Sequence, residues 1–162
     1  MSDQQYNTLQ EDHLRFAKSI WNGIWELLEK DNRSPSEEED LLLSAYASLY
    51  HWKQVGKEAN LQRGYWMLSR VYLALGAADQ ALDWALKCQR ITQEYTMSME
   101  DFDLAYAQEG LARAYAMVGE LELAKKHRHE AAVLSELIED PEDREIFLGD
   151  FQGGDWFELD LG

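Results

Sequence analysis

Histidine and cysteine are the side chains of this sequence that are best suited to bind a metal or to act in nucleophilic catalysis. His127 and His129 stand two residues apart, and on a helix such positions point about 200° from each other, so one zinc ion cannot take both. His51 lies beside Trp52 with no nucleophile at a recognisable spacing, which favours a structural role over that of a general base. Cys88 is predicted to be buried and unreactive. These residues predict no metal, no cofactor and no enzyme.

The sequence contains the pattern of a helical hairpin twice, with a shift of 43 residues between the two copies. The equivalent pairs are Leu68 with Leu111, Arg70 with Arg113, Tyr72 with Tyr115, Gly76 with Gly119 and Ala81 with Ala124. A repeat of this length is typical of stacked pairs of helices. We therefore predict an all-α fold in which the two tyrosines are buried between their hairpins.

These positions resemble the motif of the tetratricopeptide repeat family, which has a leucine before a small residue, an aromatic residue one turn later, a glycine at the turn and two alanines where the helices touch. The two copies here are Leu68-Ser69, Tyr72, Gly76, Ala81 and Cys88, then Leu111-Ala112, Tyr115, Gly119, Ala124 and Ala131. The shift of 43 residues exceeds the family's period of about 34, the closing proline is absent, and Arg128 replaces an apolar residue. The strings His51-Trp52, Arg63-Gly64 and Asp101-Phe102-Asp103 also resemble uncharacterised bacterial proteins of this type, which implies no known activity.

The resemblance implies a binding groove, because in that family the first helix of each hairpin lines a concave face. The residues on that face would be Arg63, Trp66, Met67, Arg70, Tyr106, Glu109, Arg113 and Met117. Arginine beside tryptophan and tyrosine can pair with a carboxylate through two hydrogen bonds and can make cation–π contacts. We therefore predict a non-enzymatic interaction module that binds an acidic or carboxylate-bearing peptide segment in a basic, aromatic groove.

Other interpretations of the same residues stay open. Arg70 and Arg113 could instead pair internally with Asp101, Asp103 or Glu109 and tie the helices together. His51, Arg70 and Asp103 could form a small-molecule or enzymatic pocket, and the whole chain could be a structural scaffold that assembles with copies of itself, for example as a homodimer.

Bulk composition narrows the class of partner. The chain has 162 residues, which fits one domain, and its 15 basic against 31 acidic residues give a formal charge of -16. Such a charge repels nucleic acid and anionic membrane surfaces. The single cysteine and the polar start of the sequence predict a cytoplasmic protein without a disulfide or a secretory signal.

Helix boundary signals divide the chain into about seven helices. Ser34-Pro35-Ser36-Glu37 has the spacing of a capping box, and Asp140-Pro141 repeats the pairing of a cap with a first-position proline. The first predicted helix covers about 9–30 and starts from a capping box at Thr8, and the second covers 35–55 and ends at a left-handed Gly56. The repeat hairpins are predicted over about 60–95 and 100–138, with Ser98 as the cap of the second hairpin. A seventh helix is predicted over 141–151. The fold class is therefore an all-α, tetratricopeptide-like stack of antiparallel helical hairpins in a single domain, residues 1–151.

An acidic and aromatic tail follows the predicted domain, over residues 152–162. Trp156 and Phe157 interrupt its acids, and disordered segments are poor in aromatic residues. We therefore predict that these two side chains pack on the helical body. They would cap the last hairpin or, as the second possibility, fill the groove of the same or a neighbouring chain.

Overall fold

The computed structural model describes residues 3–159, and in that range the chain forms seven α-helices and no strand. The helices are α1 (Asp3–Leu28), α2 (Pro35–Val55), α3 (Glu58–Ala74), α4 (Ala78–Glu94), α5 (Asp101–Met117), α6 (Leu121–Ser135) and α7 (Pro141–Gln152), with a 3₁₀ turn at Thr96–Ser98. The prediction of an all-α fold with about seven helices is confirmed.

The first six helices pair as three antiparallel hairpins. α1 packs mainly on α2, α3 on α4 and α5 on α6. In the first pair, the hydroxyl of Ser48 donates to the carbonyl of Ala17 at 3.0 Å, while Lys30 and Glu37 form an ion pair at the turn end. Residue numbers thus rise along one helix as they fall along the other. The short connections between the paired helices favour this arrangement.

The odd-numbered helices share one face of the molecule. A row of rings crosses that face, from Trp25 on α1 to Trp66 on α3 at 6.0 Å between centroids, on to Tyr106 on α5 at 4.9 Å and to Phe147 on α7 at 4.8 Å. The stack is held together by contacts of α2 with α3, of α4 with α5 and of α3 with α5. α7 therefore extends the row that the first helices of the three hairpins form.

The sequence repeat is also a repeat of backbone geometry. α3 and α5 are each 17 residues long and begin 43 positions apart. Gly76 and Gly119 both have positive φ, 74° and 84°, which a glycine adopts without the steric cost that other residues meet. In both copies the residue after the glycine donates its N–H to a carbonyl five residues earlier, that of Tyr72 or Tyr115, at 2.9 Å. Both hairpins therefore turn through the same C-terminal motif.

The two repeat tyrosines are half-buried and not fully buried. The hydroxyl of Tyr72 meets that of Tyr46 at 2.9 Å near the surface, and the ring of Tyr115 stacks on His127 with 5.4 Å between centroids. A phenol with a polar partner at the surface keeps part of its ring exposed.

Two predicted helix starts have the expected caps. The Ser34 hydroxyl accepts from the Glu37 N–H, and the Glu37 carboxylate accepts from the Ser34 N–H at 2.8 Å, which completes a capping box. Asp140 accepts from the N–H groups of Glu142 and Asp143 at 2.9 and 3.1 Å. Both predictions are confirmed.

Four other boundary predictions are wrong. Thr8 does not cap α1, because the helix begins at Asp3 and the Thr8 hydroxyl donates to the Gln4 carbonyl within it. Gly56 is extended, with φ −82°, and its small size matters because a Cβ there would lie 2.7 Å from the Trp52 carbonyl oxygen.

The cap of α5 is Glu100, not Ser98, which lies in the 3₁₀ turn. The Asp103 carboxylate accepts from the Glu100 N–H at 3.1 Å. The end of α6 at Ser135 falls short of the predicted position 138.

The buried apolar side chains form two main clusters. One lies among the first four helices and includes Ile24, Leu41 and Leu68. The other lies among the last three helices and the segment that follows them, and it includes Phe147 and Trp156. The second cluster therefore depends on residues beyond the last helix.

Candidate binding site

A groove made of two adjoining cavities lies on the face shared by the odd-numbered helices. The first, the aromatic cavity, has a volume of about 360 Å³ and is lined by Trp21, Trp25, Glu29, Gln62, Arg63, Trp66, Phe102, Asp103, Tyr106, Ile146 and Asp150. The second, the tail cavity, has a volume of about 490 Å³ and is lined by Trp25, Leu28, Glu29, Arg70, Leu73, Ala74, Arg113, Asp150, Gly154, Asp155 and Phe157. Three residues line both, so the two cavities form one groove.

Aromatic rings from three helices build the wall of the aromatic cavity. Trp21 and Trp25 are four residues apart and so lie on one face of α1, with their rings 6.5 Å apart. Trp66 on α3 stands between Trp25 and Tyr106. The groove residues predicted from the sequence include neither Trp21 nor Trp25. Recognition of α1–α2 as a further hairpin of the stack would have placed them on the groove face.

Arg63 lines the aromatic cavity as one half of an ion pair. Its Nε and Nη2 donate to the two carboxylate oxygens of Asp103 at 2.7 and 2.9 Å, and Asp103 is only 1% exposed. The hydrogen bond with Asp103 raises the pKa of Arg63. The guanidinium also lies over the ring of Phe102, 4.9 Å from its centroid. Arg63 therefore serves as a neutralised part of the wall.

Arg113 is buried beside an equally buried partner. It is 5% exposed, and its ion-pair partner Glu109 is 1% exposed. The two Nη atoms donate to the carbonyl oxygens of Asp155, Asp150 and Gly153 at 2.7, 2.8 and 2.9 Å. The guanidinium thus holds the backbone that follows α7, and it is not presented to the groove as a free cation.

The C-terminal segment packs on the helical body, as the sequence predicts. Trp156 is 5% exposed. Arg113 and Arg128 lie over its ring at 4.1 and 5.1 Å from the centroid, and Phe151 meets it edge-on at 5.6 Å. Phe157 is half-buried and lines the tail cavity. Trp156 therefore caps the last hairpin, and Arg128 replaces an apolar residue of the repeat because it covers this ring.

The guanidinium of Arg70 has longer polar contacts than that of its repeat equivalent, Arg113. The carboxylate oxygens of Glu109 and Asp150 both stand 3.8 Å from it, beyond hydrogen-bond distance. Its guanidinium lies 5.6 Å from the ring centroid of Trp25 and 5.2 Å from that of Trp66. Arg70 therefore lines the tail cavity beside the rings of Trp25 and Trp66, without a hydrogen-bonded carboxylate.

The groove is aromatic but not basic, because carboxylates offset its arginines. In the aromatic cavity, Arg63 faces three of them, those of Glu29, Asp103 and Asp150. The Tyr106 hydroxyl donates to Asp150 at 2.7 Å, and burial together with this carboxylate raises the pKa of Tyr106. Of the two arginines for which internal pairing stayed open, Arg113 adopts it with Glu109. Arg63, which was not included in that alternative, pairs with Asp103.

Met67, Glu109 and Met117 line neither cavity, although all three were predicted to line the groove. Glu109 is 1% exposed and pairs with Arg113 below the surface. Met67 is 1% exposed and belongs to the core of the first four helices. Met117 is half-buried and lines neither cavity. Positions 63, 66 and 70 share one face, whereas position 67 is turned toward the core.

The alternative pocket of His51, Arg70 and Asp103 is not assembled. His51 lies on the hairpin of α1 and α2, where its Nδ1 is 2.8 Å from Nδ1 of His13. Asp103 lines the aromatic cavity and Arg70 the tail cavity, while His51 lines neither. Burial, with the charge of His13 as a second cause, lowers the pKa of His51.

The other candidate side chains have structural surroundings. Cys88 is buried as predicted, and burial raises the pKa of its thiol. His127 contacts Gln108 through Nδ1 at 2.6 Å. Residues 3–159 contain no group of three histidine, cysteine or acidic side chains placed to hold a metal ion.

Comparisons with protein-family models, curated proteins and solved structures find no match to this chain. In the part of the chain that the structure describes, no helix combines the length and the apolar character that crossing a membrane requires.

Proposed function

We propose that this protein is a non-enzymatic helical-repeat interaction module that holds a segment of a partner protein in its groove. The observation that carries the proposal is the groove itself, where rings from α1, α3 and α5 line an open cavity that continues past Arg70 into a second one. Apolar and aromatic-lined grooves are a recurring means by which proteins hold a segment of a partner.

The charges of the groove favour a basic or apolar side chain from the partner. Arg63 and Arg113 already have carboxylate partners, so an incoming anion would compete with Asp103 and Glu109 and would meet Glu29 and Asp150 as well. The formal charge of -16 on the whole chain adds to this preference by attracting basic segments over long distances. The acidic peptide that was predicted from the sequence is therefore the alternative ligand, against which basic or apolar peptides must be tested.

The lining of the groove supports binding over catalysis. Among the described residues that line the two cavities there is no serine, threonine, cysteine or histidine. The ionisable side chains there are mainly arginines and carboxylates, together with the Tyr106 hydroxyl bonded to Asp150. A hydroxyl nucleophile is activated by an adjacent base or a lowered pKa, whereas the pKa of Tyr106 is raised by its burial and by Asp150, which disfavours its ionisation.

A peptide-display selection on the full chain tests the proposal. Ile146 lines the aromatic cavity and is 55% exposed, so Ile146→Trp should fill the cavity without unfolding the protein. Leu43 is 59% exposed on α2, on the other side of the hairpins, and Leu43→Trp is the matched control. Selected peptides should carry basic or apolar side chains and should bind the Ile146→Trp variant at least about tenfold more weakly than the control, a loss of about 1.4 kcal/mol.

Three outcomes would count against the proposal. Peptides that bind both variants equally would show that the groove is not the site. Acidic peptides whose binding is lost on Arg70→Ala would restore the ligand predicted from the sequence. Sedimentation that showed a stable dimer, broken by Ile146→Trp and not by Leu43→Trp, would make the groove a contact between copies of this chain.

A further inference from the structure

The first helix carries a second apolar stripe, on the side that faces away from the groove. Tyr6, Leu9 and Phe16 are 51%, 43% and 44% exposed, and together with His13 they follow one another at steps of three and four residues. This spacing places side chains on one side of a helix, and it is the spacing at which two helices pack side by side. Phe16 and the groove residue Trp25 are nine residues apart, which is about two and a half helical turns, so they point to opposite sides of α1.

The second helix continues this apolar surface. Phe16 and Tyr50 both meet the ring of His51, with 5.4 and 5.6 Å between centroids, and Tyr50 meets the ring of His13 at 6.1 Å. Tyr50 is 57% exposed, and Phe16 keeps its exposure although Arg15 lies over its ring, 4.8 Å from the centroid. Six side chains thus form one continuous surface, which we call the outer face: Tyr6, Leu9, His13, Phe16, Tyr50 and His51.

The outer face is large for an apolar surface that meets only water. At about 200 Å² for each ring, the exposed halves of Tyr6, Phe16 and Tyr50 present about 300 Å² of surface, and Leu9 adds to it. Contiguous apolar patches of this size are often interaction sites.

The start of α1 projects beyond the rest of its hairpin. Ser48 on α2 lies beside Ala17 on α1, and α2 ends seven residues later, at Val55. Because the two helices are antiparallel, residues 4–9 of α1 lie past the end of α2, and all of them are exposed. Helices owe most of their stability to the packing of an apolar face. A partner on the outer face would supply that packing to the projecting end.

The charges beside the outer face complement those of a second copy of the same chain. A formal charge of -16 opposes contact between copies in general, but the stretch around His13 is neutral, because the acids Glu11 and Asp12 precede it and the bases Arg15 and Lys18 follow it. Two antiparallel α1 helices that cross at His13 set the acids of each copy against the bases of the other, whereas a parallel pair would place like charges together. Arg15 and Asp12 pair within the helix at 2.7 Å, and their side chains remain 67% and 45% exposed, so both can also reach a second copy.

We propose that the protein associates with a second copy of itself through the outer face, in a symmetric pair whose two α1 helices cross antiparallel at His13. The same patch then serves on both copies, as two-fold symmetry requires. Tyr6 and Ile20 are each seven residues from His13, so Tyr6 of one copy lies beside Ile20 of the other, and each projecting helix end packs on the body of its partner. The contact lies on the side opposite the groove and does not depend on the proposed function.

Sedimentation velocity of the full chain at concentrations up to about 0.1 mM measures the association. The chain should form a dimer, and Leu9→Glu should weaken the dimer at least about tenfold, because the contact would bury an unpaired charge from each copy. Leu86→Glu is the matched control, since Leu86 on α4 is 38% exposed against 43% for Leu9, and it should leave the dimer unchanged. Circular dichroism should show that both variants keep the helical fold.

Cysteine cross-linking tests the antiparallel arrangement, and the native thiol of Cys88 does not interfere because it is buried. Under mild oxidation His13→Cys should give a disulfide-linked dimer, since the two copies of position 13 meet at the crossing, within the short distance that a disulfide spans. Tyr6→Cys alone should not form such a dimer, whereas a mixture of the Tyr6→Cys and Ile20→Cys variants should.

A chain that stays monomeric up to about 0.1 mM would overturn the inference, and so would a dimer that Leu9→Glu leaves intact. A dimer broken by Ile146→Trp would place the contact in the groove and would equally overturn it. Self-linkage of the Tyr6→Cys variant would show a parallel pair, which the proposed arrangement excludes.

Discussion

Trp66 and Glu109 occupy the same position in the two copies of the repeat, 43 residues apart, and they touch. The indole Nε1 of Trp66 donates to Oε2 of Glu109 at 3.3 Å. Arg63 meets Asp103 earlier on both helices, so residue numbers rise together and α3 and α5 run side by side in the same direction. Arg70 and Arg113 also occupy the same position in the two copies of the repeat. Their surroundings nevertheless differ, because Glu109 accepts a hydrogen bond from Arg113 and only approaches Arg70.

Removing Arg113 should destabilise the protein far more than removing its repeat equivalent. Arg113→Ala removes the ion-pair partner of Glu109, which is 1% exposed and keeps only the indole N–H of Trp66 and the more distant Arg70. We expect a loss of about 3–5 kcal/mol in the free energy of unfolding. Arg70→Ala removes a side chain that is 25% exposed and should cost about 1 kcal/mol or less. Urea denaturation measures both, and equal losses would contradict the distinction between the two arginines.

The fold could be predicted from the sequence because its signals are local. The glycine turns, the caps at Ser34 and Asp140 and the spacing of apolar residues each depend on a few neighbouring positions, and all of them indicate helical hairpins. Two rings of the groove, Trp66 and Tyr106, also follow from the repeat, since it fixes which helices share a face. The rings of Trp21, Trp25 and Phe102 were not predicted.

The polarity of the groove could not be predicted in the same way. Arg63 and Asp103 are 40 residues apart, and Arg113 contacts backbone carbonyls 37 to 42 residues beyond it. These pairings exist only once the hairpins stack and the C-terminal segment docks, and a chain with this many acids offers several partners for each arginine. The sequence therefore predicts the residues of the face, while the stacking decides which of them remain free.

Trp156 should be as important for stability as a core residue, although it lies beyond the last helix. Trp156→Ala removes a ring that is 5% exposed between Phe151, Arg113 and Arg128, and we expect a loss of about 3 kcal/mol or more. Phe157→Ala truncates a half-buried neighbour and should cost markedly less. Calorimetry on the two variants measures the difference. An unchanged melting temperature for Trp156→Ala would show that the segment does not cap the stack in solution.

Alanine substitution should lower the stability equally at the two glycine turns and should raise it at a glycine within a helix. Gly76→Ala and Gly119→Ala force alanine into a left-handed backbone where a Cβ meets no atom within 4 Å, so each should cost about 1 kcal/mol from backbone strain alone. Gly23 lies inside α1, also with nothing near its Cβ, and Gly23→Ala should stabilise by up to about 1 kcal/mol. Thermal melts of the three variants test the signs, and unequal losses at the two turns would argue against their structural equivalence.

Stability should fall in mildly acidic solution because of histidines held in the neutral form. Burial lowers the pKa of His51 and of His127 below the ordinary value of about 6.5, and the Nδ1 atoms of His51 and His13 stand 2.8 Å apart, which leaves no room for a proton on both. A group whose folded pKa lies below its unfolded pKa contributes stability that is complete above the unfolded value and is lost as the pH falls through the folded value. The melting temperature should therefore decrease from about pH 7.5 to about pH 5.5, with most carboxylates still ionised.

His51→Gln should remove part of this decrease and His127→Gln another part, whereas His129→Gln, at an exposed position, should leave the profile unchanged. If the His51→Gln and His127→Gln variants kept the full wild-type slope, the acid sensitivity would have to arise from other groups.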